Sequence, residues 1–558
     1  MKNNGNNDGT LTENVYLIPH SSKPVNEYFN PKLLTGLYPT LFCYRQGAPE
    51  DQSRPTEIKF KEHIRYLLSY NDRRFETSHS FIFVVFKLLQ RRDACFHAQL
   101  IATKPYFQAS ANDIQSINSK DIEIALDNNS KRIYNTESNS ALNKLLQHIK
   151  TVGGRVMGSA YSRIALRTRI HALIFNQGLP SIFFTLNPAD IHSPVALYFA
   201  GVPLNLDKVQ SEQLMSAYKR AEIIASHPVA TAKFFHVLIT NILDTMIMGG
   251  VLGPVKAYFG TVESQGRGSF HLHLLIWLDH DLKPADMKEK IQDPLFRNKL
   301  KAYLEDIIKE DLDDFKDKQV IESSNESLNT STQSPQNNIY TALRTIDLTG
   351  SAEKTYQSPN THKHTDTCYK YYDVYLGDKK ICRMRMPRKL APTSIIDPET
   401  GHISMRRSDP WINNFNEYLI SACRSNMDIK FISTGNDVKA LVYYITDYVT
   451  KMSLSFHDTF GLVQKSITSL QNPNNQLDKE NVIEKSRKLV LRCYNTLASQ
   501  QELSGVQVAS YLMNFDDHYT THKFQGLYLI QTERFLQSEL NEMRTKQNLQ
   551  STLQGKSN

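Results

Sequence analysis

Hydrophobic and polar positions alternate most clearly in the middle of the chain. Ser181 to Leu186 (SIFFTL) is short, apolar and rich in aromatic and β-branched residues, which predicts a buried strand. Two further strand-like runs, Lys256 to Gln265 and Phe270 to Leu278, flank a glycine-rich GRGS segment that is typical of a hairpin connection. Two stretches with helical spacing of apolar residues lie between the first run and this hairpin. The order predicts an α+β fold with an antiparallel sheet.

The third run places its aliphatic residues on one face of the predicted strand and two histidines on the other. Alternate side chains of a strand point to opposite faces, so His271 and His273 stand beside each other, about 7 Å apart. The opposite face, which helices are expected to cover, holds Leu272, Leu274, Ile276 and Leu278. Two imidazoles at this spacing can converge on one divalent metal. Two surface histidines without a metal are the alternative.

A third ligand for such a metal has to come from the neighbouring strand. If the hairpin pairs symmetrically about Gly268, Gln265 lies opposite His271 and Glu263 lies opposite His273, on the same face. Glu263 is the better hard-oxygen ligand for Mg²⁺ or Mn²⁺, and Gln265 is the second candidate.

Apolar residues at helical spacing also predict an amphipathic helix from Asp437 to Met452. Tyr444 and Tyr448 lie one turn apart on the flank of its apolar stripe, with Lys451 one turn further along. Two phenols near a metal are suited to attack phosphodiesters, each forming a covalent phosphotyrosyl link. An ordinary flank of an amphipathic helix is the alternative.

A second metal site is expected in the segment THKHTDTCYK and the ICRMRMPRK that follows it. Two histidines and two cysteines there have the ligand types of a zinc site: His362, His364, Cys368 and Cys382. No tight Cys-x-x-Cys pair supports the zinc, and unliganded surface residues are the alternative.

Basic residues around this segment are interleaved with tyrosines, which suits phosphate binding and base stacking. The candidates for DNA binding are Lys370, Arg383, Arg385 and Arg388, together with Lys451 on the tyrosine helix. For the four residues next to the His/Cys segment, a solvated basic loop is the alternative.

Composition and charge narrow the class of protein. The chain has 558 residues, with 65 Lys and Arg against 57 Asp and Glu, so its net charge of +8 is compatible with a polyanion partner. Six scattered cysteines suit a reducing compartment rather than a disulfide scaffold. No apolar run approaches the roughly 18 residues of a membrane span. The polar start of the chain has no signal-peptide pattern, so we expect neither a membrane protein nor one secreted by a signal peptide.

Composition also divides the chain into regions. The domain with the candidate metal and tyrosine residues is expected in two parts, 176–309 and 396–455. The parts are separated by a polar flexible insert, 310–360, and a basic His/Cys segment, 361–395. The remaining regions are a disordered start, 1–15, a mixed α/β N-terminal region that is a candidate for DNA binding, 16–175, a helical region, 456–540, and a disordered tail, 541–558.

Taken in order, these segments resemble the Helitron helicase-like domain, the Rep part of Helitron transposases. FFTLNPADIHSP (Phe183 to Pro194) resembles the first motif of the family, and YFGTVESQGRGSFHLHLLIW (Tyr258 to Trp277) resembles its metal-binding motif. ALVYYITDYVTK (Ala440 to Lys451) resembles the two-tyrosine motif. The similarity extends from about Leu41 to Met452 and includes the long flank Asp409 to Leu441.

This resemblance implies an HUH-type, Rep-like α+β fold: an antiparallel sheet flanked by helices, with an additional mixed N-terminal region. It implies that His271 and His273 bind the metal and that Tyr444 and Tyr448 are paired nucleophiles. The implied reaction is metal-dependent nicking and strand transfer of single-stranded DNA through 5′-phosphotyrosine intermediates, in rolling-circle transposition. Asn187 and Asp190 are expected to position DNA or to support the site, and a plain turn is the alternative for both.

One departure from the family concerns the motor. Complete Helitron transposases continue into a helicase, and this sequence contains no G-x-x-x-x-G-K-[ST] motif. A separately encoded helicase is therefore an expected partner, besides single-stranded DNA at transposon ends and targets. A nuclear location is expected in a eukaryotic host and an intracellular one otherwise. The alternative function is a catalytically inactive or truncated remnant that binds DNA without cutting it.

Overall fold

The computed structural model describes most of the chain, with gaps between the described segments. The described residues are 25–118, 120–123, 140–204, 215–264, 268–280, 284–310, 360–364, 366–369, 382, 384–432, 443, 456–470, 481–526 and 529–554. Two compact units are distinguished, Met1–Phe81 and Ile82–Asn558.

Aromatic side chains form the core of the first unit. Its elements are helix α1 (Pro31–Leu37), a 3₁₀ turn (Cys43–Arg45) and helix α2 (Phe60–Leu68). The rings of Phe42 and Phe75 lie with their centroids 5.3 Å apart, and Phe75 lies at the same distance from Phe81. All three are almost fully buried, so clustered rings provide much of the core of this small unit.

The helices of the second unit begin with standard capping residues. Serine or asparagine side chains accept backbone hydrogen bonds at several of the N-termini, and Ser504 forms a complete capping box with Gln507. After α3 (Phe81–Ala102), which begins at the boundary, the helices are α4 (Pro105–Ser116), α5 (Ser140–Gly153), α6 (Ala160–Gln177), α7 (Pro194–Phe199), α8 (Ala217–Ser226), α9 (Pro228–Asn241), α10 (Pro284–Lys290), α11 (Pro294–Ile307), α12 (Glu417–Cys423), α13 (Phe456–Leu470), α14 (Val482–Ser499), α15 (Gly505–Met513) and α16 (Leu529–Gln554).

Five strands form one antiparallel sheet in the order β6-β1-β3-β2-β7. The strands are β1 (Ile182–Asn187), β2 (Val255–Ser264), β3 (Phe270–Leu278), β6 (Asn426–Phe431) and β7 (His518–Thr520), and a separate small pair consists of β4 (Ile395–Ile396) and β5 (Ile403–Ser404). The predicted α+β class, the antiparallel sheet and the three predicted strands are therefore confirmed. The strand that carries the two histidines, β3, is the central one.

Both faces of this sheet are covered along part of their area. On one face, Phe183, Leu275 and Trp277 pack against the apolar side of α6. The indole of Trp277 also donates a hydrogen bond to the carbonyl of Gly178, just past the end of α6, at 2.8 Å. On the other face, Phe270 meets Phe235 of α9 edge to face, with centroids 5.0 Å apart. Helices thus hold β3 from both sides.

A separate helical core joins parts of the chain that are far apart in sequence. It is formed by α4, α5, α13 and α14, and its fully buried members include Ile114, Leu145, Val463 and Val490. The C-terminal helices α13 and α14 therefore stabilise the N-terminal part of the second unit.

No single helix in the described part of the chain is long and apolar enough to cross a membrane. Only the pair Ala217–Ser226 and Pro228–Ile247, bent by 95°, passes that test, by length and composition alone. Much of α9, the main part of that pair, is buried within the protein.

Replacing Leu275 with alanine should test the packing of α6 on the sheet. Leu275 is 1% exposed, so the Leu275→Ala variant should lose about 2–5 kcal/mol of unfolding free energy through lost burial and an unfilled cavity. The matched control, Leu295→Ala, removes a side chain that is 72% exposed and should change stability by less than about 0.5 kcal/mol. Urea unfolding measures both, and equal midpoints for the two variants would contradict this packing.

Candidate active site

The register of the β2–β3 hairpin differs from the prediction. Glu263 lies opposite His271, and Thr261 lies opposite His273, so the expected pairing symmetric about Gly268 is wrong by two residues. The last pair of the ladder is Ser264 and Phe270. Gly268, two residues before β3 begins, has a φ of 85°. Glycine is used there because it adopts positive φ at little cost, and this does not require it to be the midpoint of the loop.

Glu263 nevertheless contacts one of the histidines and is paired with the other. It is the direct cross-strand neighbour of His271 and the diagonal neighbour of His273. One carboxylate oxygen, Oε2, lies 2.8 Å from Nε2 of His273. The two imidazole rings have centroids 4.5 Å apart and are nearly perpendicular. A carboxylate and two imidazoles therefore converge at one end of the central strands.

Burial keeps the imidazole of His271 neutral. Desolvation, and secondarily the nearby His273, lower the pKa of His271 to about 3. Its Nδ1 is buried and has no hydrogen-bond partner among the described residues. A neutral imidazole offers a lone pair to a metal, and a buried ring nitrogen without a partner is unusual unless a ligand engages it.

Strand pairing adds polar residues to the same sheet face. The row that contains His273 runs from Asp428 through Thr185 and His273 to Thr261 and His518. Directly paired residues share a face, so an acid and two hydroxyls lie alongside the histidine. One oxygen of Asp428, Oδ1, is buried without a hydrogen-bond partner among the described residues, and the other lies 3.2 Å from Lys430.

Sequence reasoning did not find Asp428 or His518. Asp428 stands between buried Met427 and Ile429 in β6, and that alternation was a readable signal of a strand with one polar position. His518 belongs to the three-residue β7, which is too short for a periodic pattern. Its imidazole contacts the carboxylate of Asp517 and the guanidinium of Arg169, at 2.9 and 2.7 Å.

The loop after β1 braces the hairpin. Asp190 is buried; its Oδ2 accepts a hydrogen bond from the Ser269 hydroxyl at 2.7 Å, and its Oδ1 accepts one from the backbone N–H of Ile191. The guanidinium of Arg220, which is 1% exposed, donates to the Ile191 carbonyl at 3.0 Å. Of the two roles expected for Asp190, these contacts favour support of the histidine strand. Asn187, at the end of β1, pairs with Asn426 of β6.

The four residues of the expected second metal site come together. The potential ligand atoms of His362, His364, Cys368 and Cys382 all lie within 4.8 Å of one another. In the described part of the chain, this is the one group of three or more such side chains that meets this criterion, so His271, His273 and Glu263 are less closely gathered. Both cysteines are buried, and they pack with Met386, Tyr369 and Trp411. The cluster could hold a metal ion.

Several other predicted site residues cannot be placed. Outside the described residues lie Tyr444, Tyr448, Gln265, Lys370, Arg383 and Lys451. Arg385 is exposed, whereas the guanidinium of Arg388 already donates to the side-chain oxygens of Asn413 and Asn414, at 3.2 and 2.9 Å. DNA binding by these basic residues stays a prediction.

Comparison with known families identifies the domain that contains the histidine strand. Residues 63–276 match the family described as the Helitron helicase-like domain at the N-terminus. This part of the chain is therefore similar to the Helitron helicase-like domain. This finding confirms the resemblance read from the motifs, and no curated protein matches the chain. The match covers 214 of the 558 residues. It ends within β3, so the His/Cys cluster and the tyrosine segment lie beyond it.

Removing the hydroxyl of Ser269 should loosen the brace beneath the histidine strand. The Ser269→Ala variant deprives the buried Asp190 carboxylate of a donor, which should cost about 1–3 kcal/mol of unfolding free energy. Ser499→Ala is the control, because the Ser499 hydroxyl is exposed at the end of a helix, where it donates to the Thr496 carbonyl and accepts from the exposed side chain of Gln500. Equal urea midpoints for the Ser269→Ala and Ser499→Ala variants would contradict a stabilising role of the Ser269–Asp190 hydrogen bond.

Proposed function

We propose that this chain is a Helitron-type rolling-circle transposition protein with an HUH-type, Rep-like catalytic domain. It nicks single-stranded DNA and transfers the strand through 5′-phosphotyrosine intermediates. The observation that carries the proposal is the convergence of His271, His273 and Glu263 on the central strands of an antiparallel sheet, with both histidines inside the Helitron helicase-like domain.

The donor set of this site fits a divalent metal. It combines a carboxylate with at least one imidazole held neutral by burial, and its acidic surroundings on the sheet include Asp428. Carboxylate oxygens favour Mg²⁺ and Mn²⁺, and imidazole shifts the preference towards Mn²⁺. When bound, such an ion polarises the scissile phosphate and orients it for in-line attack. The His/Cys cluster takes no part in this chemistry, because four protein ligands around one ion leave no position for a phosphate.

The nucleophiles in this proposal are Tyr444 and Tyr448, whose segment follows β6 in the sequence. The phenol oxygen attacks phosphorus, the bond to the 3′ oxygen breaks, and the 3′ oxygen leaves as a hydroxyl with the proton that the phenol gives up. The 5′ phosphate stays linked to the tyrosine, so the bond energy is kept for rejoining. Attack by the 3′ hydroxyl of another strand reverses the step and completes strand transfer.

DNA binding and partners follow from the same proposal. Arg385 and the other predicted basic residues would contact the backbone of single-stranded DNA, so affinity should fall as salt rises. A separately encoded helicase would supply unwinding. The proposed site of action is the nucleus in a eukaryotic host and the cell interior otherwise.

Replacing both catalytic tyrosines should abolish covalent capture of DNA. The Tyr444→Phe, Tyr448→Phe double variant of the full chain has no phenol at either position and should form no adduct with end-labelled single-stranded DNA in Mn²⁺. The matched control is Tyr443→Phe, since Tyr443 adjoins the pair and is 71% exposed. A denaturing gel should show the adduct for wild type and the control alone.

Two outcomes of this assay would contradict the nucleophile assignment. An adduct in the double variant would mean that another residue attacks. Salt-sensitive DNA binding by wild type with no adduct at any metal concentration would favour the alternative, a DNA-binding remnant without activity.

Removing one histidine should test the metal independently of the nucleophiles. The His271→Ala variant loses a neutral imidazole donor and should form adduct more slowly by on the order of 100-fold or more, with saturation at higher Mn²⁺. His402→Ala is the control, because His402 is exposed and directly precedes β5, which does not belong to the five-stranded sheet. Adduct formation by His271→Ala at the rate and Mn²⁺ dependence of the control would rule out His271 as a ligand.

A further inference from the structure

The His/Cys cluster carries an inference that does not depend on the nicking activity. We propose that His362, His364, Cys368 and Cys382 form a closed, tetrahedral zinc centre. Its role is to hold the segment that carries these ligands against β6, the edge strand beside β1.

The spacing of the ligand atoms is that of a tetrahedral site. Nε2 of His362 lies 3.5 Å from the sulfur of Cys368 and 3.4 Å from the sulfur of Cys382. A zinc ion with bonds of about 2.3 Å to sulfur and about 2.0 Å to nitrogen, at the tetrahedral angle, separates these atoms by about 3.5 Å. The ring of His364 completes the set, with its centroid 5.1 Å from that of His362.

The ligand types of the His/Cys cluster favour zinc over Mg²⁺ and Mn²⁺, the ions proposed for the histidine site. Two thiolates and two imidazoles are soft to borderline ligands, whereas Mg²⁺ and Mn²⁺ prefer oxygen. Four protein ligands also leave no open position, which distinguishes a structural zinc site from a catalytic one. Cys368 and Cys382 are 5% and 4% exposed, so their sulfurs are shielded from solvent by the residues around them.

Apolar and aromatic residues enclose the cluster. Met386 packs beside the two sulfurs, and Tyr369 and Trp411 border them. The ring of His364 lies edge to face on Trp411, with centroids 5.2 Å apart. The two sulfurs are therefore in a dry surround, which strengthens metal–thiolate bonds, while His362 is partly buried and His364 is exposed.

Hydrogen bonds connect the ligands to the edge of the sheet. The backbone N–H of His362 donates to the carbonyl of Trp411 at 2.7 Å. Two residues earlier, fully buried Asn360 accepts a hydrogen bond on Oδ1 from the backbone N–H of Met427 in β6, at 2.8 Å. Its carbonyl accepts from the N–H of Asn413 at 3.0 Å. The first proposed zinc ligand, His362, thus lies two residues after a residue that is hydrogen-bonded to β6.

A second set of hydrogen bonds connects residues that follow the cluster in the sequence to β6. Asn414 donates through Nδ2 to the carbonyl of Ile429 in β6, at 3.1 Å, and accepts hydrogen bonds from Arg388 and Arg407. Arg407 and Glu310 form a buried ion pair at 2.5 Å. Breaking such a buried network leaves charges and amides without partners, so it persists only while the segment is held in place. The zinc centre supplies that hold.

The metal content of the full chain is the direct test. Protein produced without a histidine tag and purified without chelator should contain about one zinc per chain by mass spectrometry of the metal. After replacement of zinc by Co²⁺, the absorption bands of tetrahedral cobalt–thiolate coordination should appear. Neither readout uses DNA, so the result is separate from the success or failure of the nicking proposal.

Variants and hydrogen exchange test the role of the site. Cys382→Ser should reduce zinc to close to none, whereas the matched control Cys43→Ser, at an exposed cysteine of the first unit, should keep it. In wild-type protein, removing zinc with a chelator should speed exchange of the Met427 amide and leave that of Leu274, in the centre of the sheet, unchanged.

Three results would overturn the proposal. The first is wild-type protein without stoichiometric zinc and without cobalt–thiolate bands, which needs no variant to fold. The second is another metal in place of zinc. The third is protection of the Met427 amide that chelation does not change, which would leave a zinc site with no hold on β6.

Discussion

The central position of β3 is the constraint on which the candidate site depends. Because β3 is paired with β1 on one side and β2 on the other, its register is fixed twice. A slip of one residue against either neighbour would turn His271 and His273 to the face that now holds Leu272 and Leu274. The hydrophobic cost of exposing those leucines keeps the histidines on the face that also carries Glu263, and the Ser269–Asp190 hydrogen bond secures the start of the strand.

The sheet face with the histidines has a part that packs against a helix and a part that carries the candidate metal ligands. Further along the strands, Phe183, Leu275 and Trp277 are covered by α6. The other end of the same strands carries Glu263, the two histidines and Asp428. The packed half makes the platform rigid and partly desolvates the polar half, which is why the imidazole of His271 stays neutral. A catalytic metal would need both properties in its ligands.

The sequence predicts local elements and ligand types better than long-range pairing. The strands around Phe183, Phe259 and Leu275 are predicted by composition and alternation, because these signals are local. The register of the hairpin was predicted wrongly, since its glycine-rich loop fits more than one pairing. The addition of β6 and β7 to the sheet, and with it Asp428 and His518, depends on pairing over hundreds of residues, which a single sequence does not encode in any local pattern.

The two candidate metal sites differ in the same way. The four residues of the His/Cys cluster were predictable because three of them lie within one short segment, and the structure brings Cys382 to them. The third ligand of the histidine site depended on the register, and Glu263 reaches His273 only along the diagonal. The tyrosine segment lies outside the described residues, so its relation to the histidines rests on sequence and on the proposed chemistry.

The central claim is that a tyrosine of this chain becomes covalently joined to DNA beside the histidine site. Mass spectrometry of the adduct, after digestion of the DNA and cleavage with trypsin, tests it most directly, because Tyr444 and Tyr448 share the tryptic peptide Ala440 to Lys451. The account predicts a nucleotide linked through its 5′ phosphate to one of these two phenols. A nucleotide on Tyr443, or on a residue outside this peptide, would contradict it.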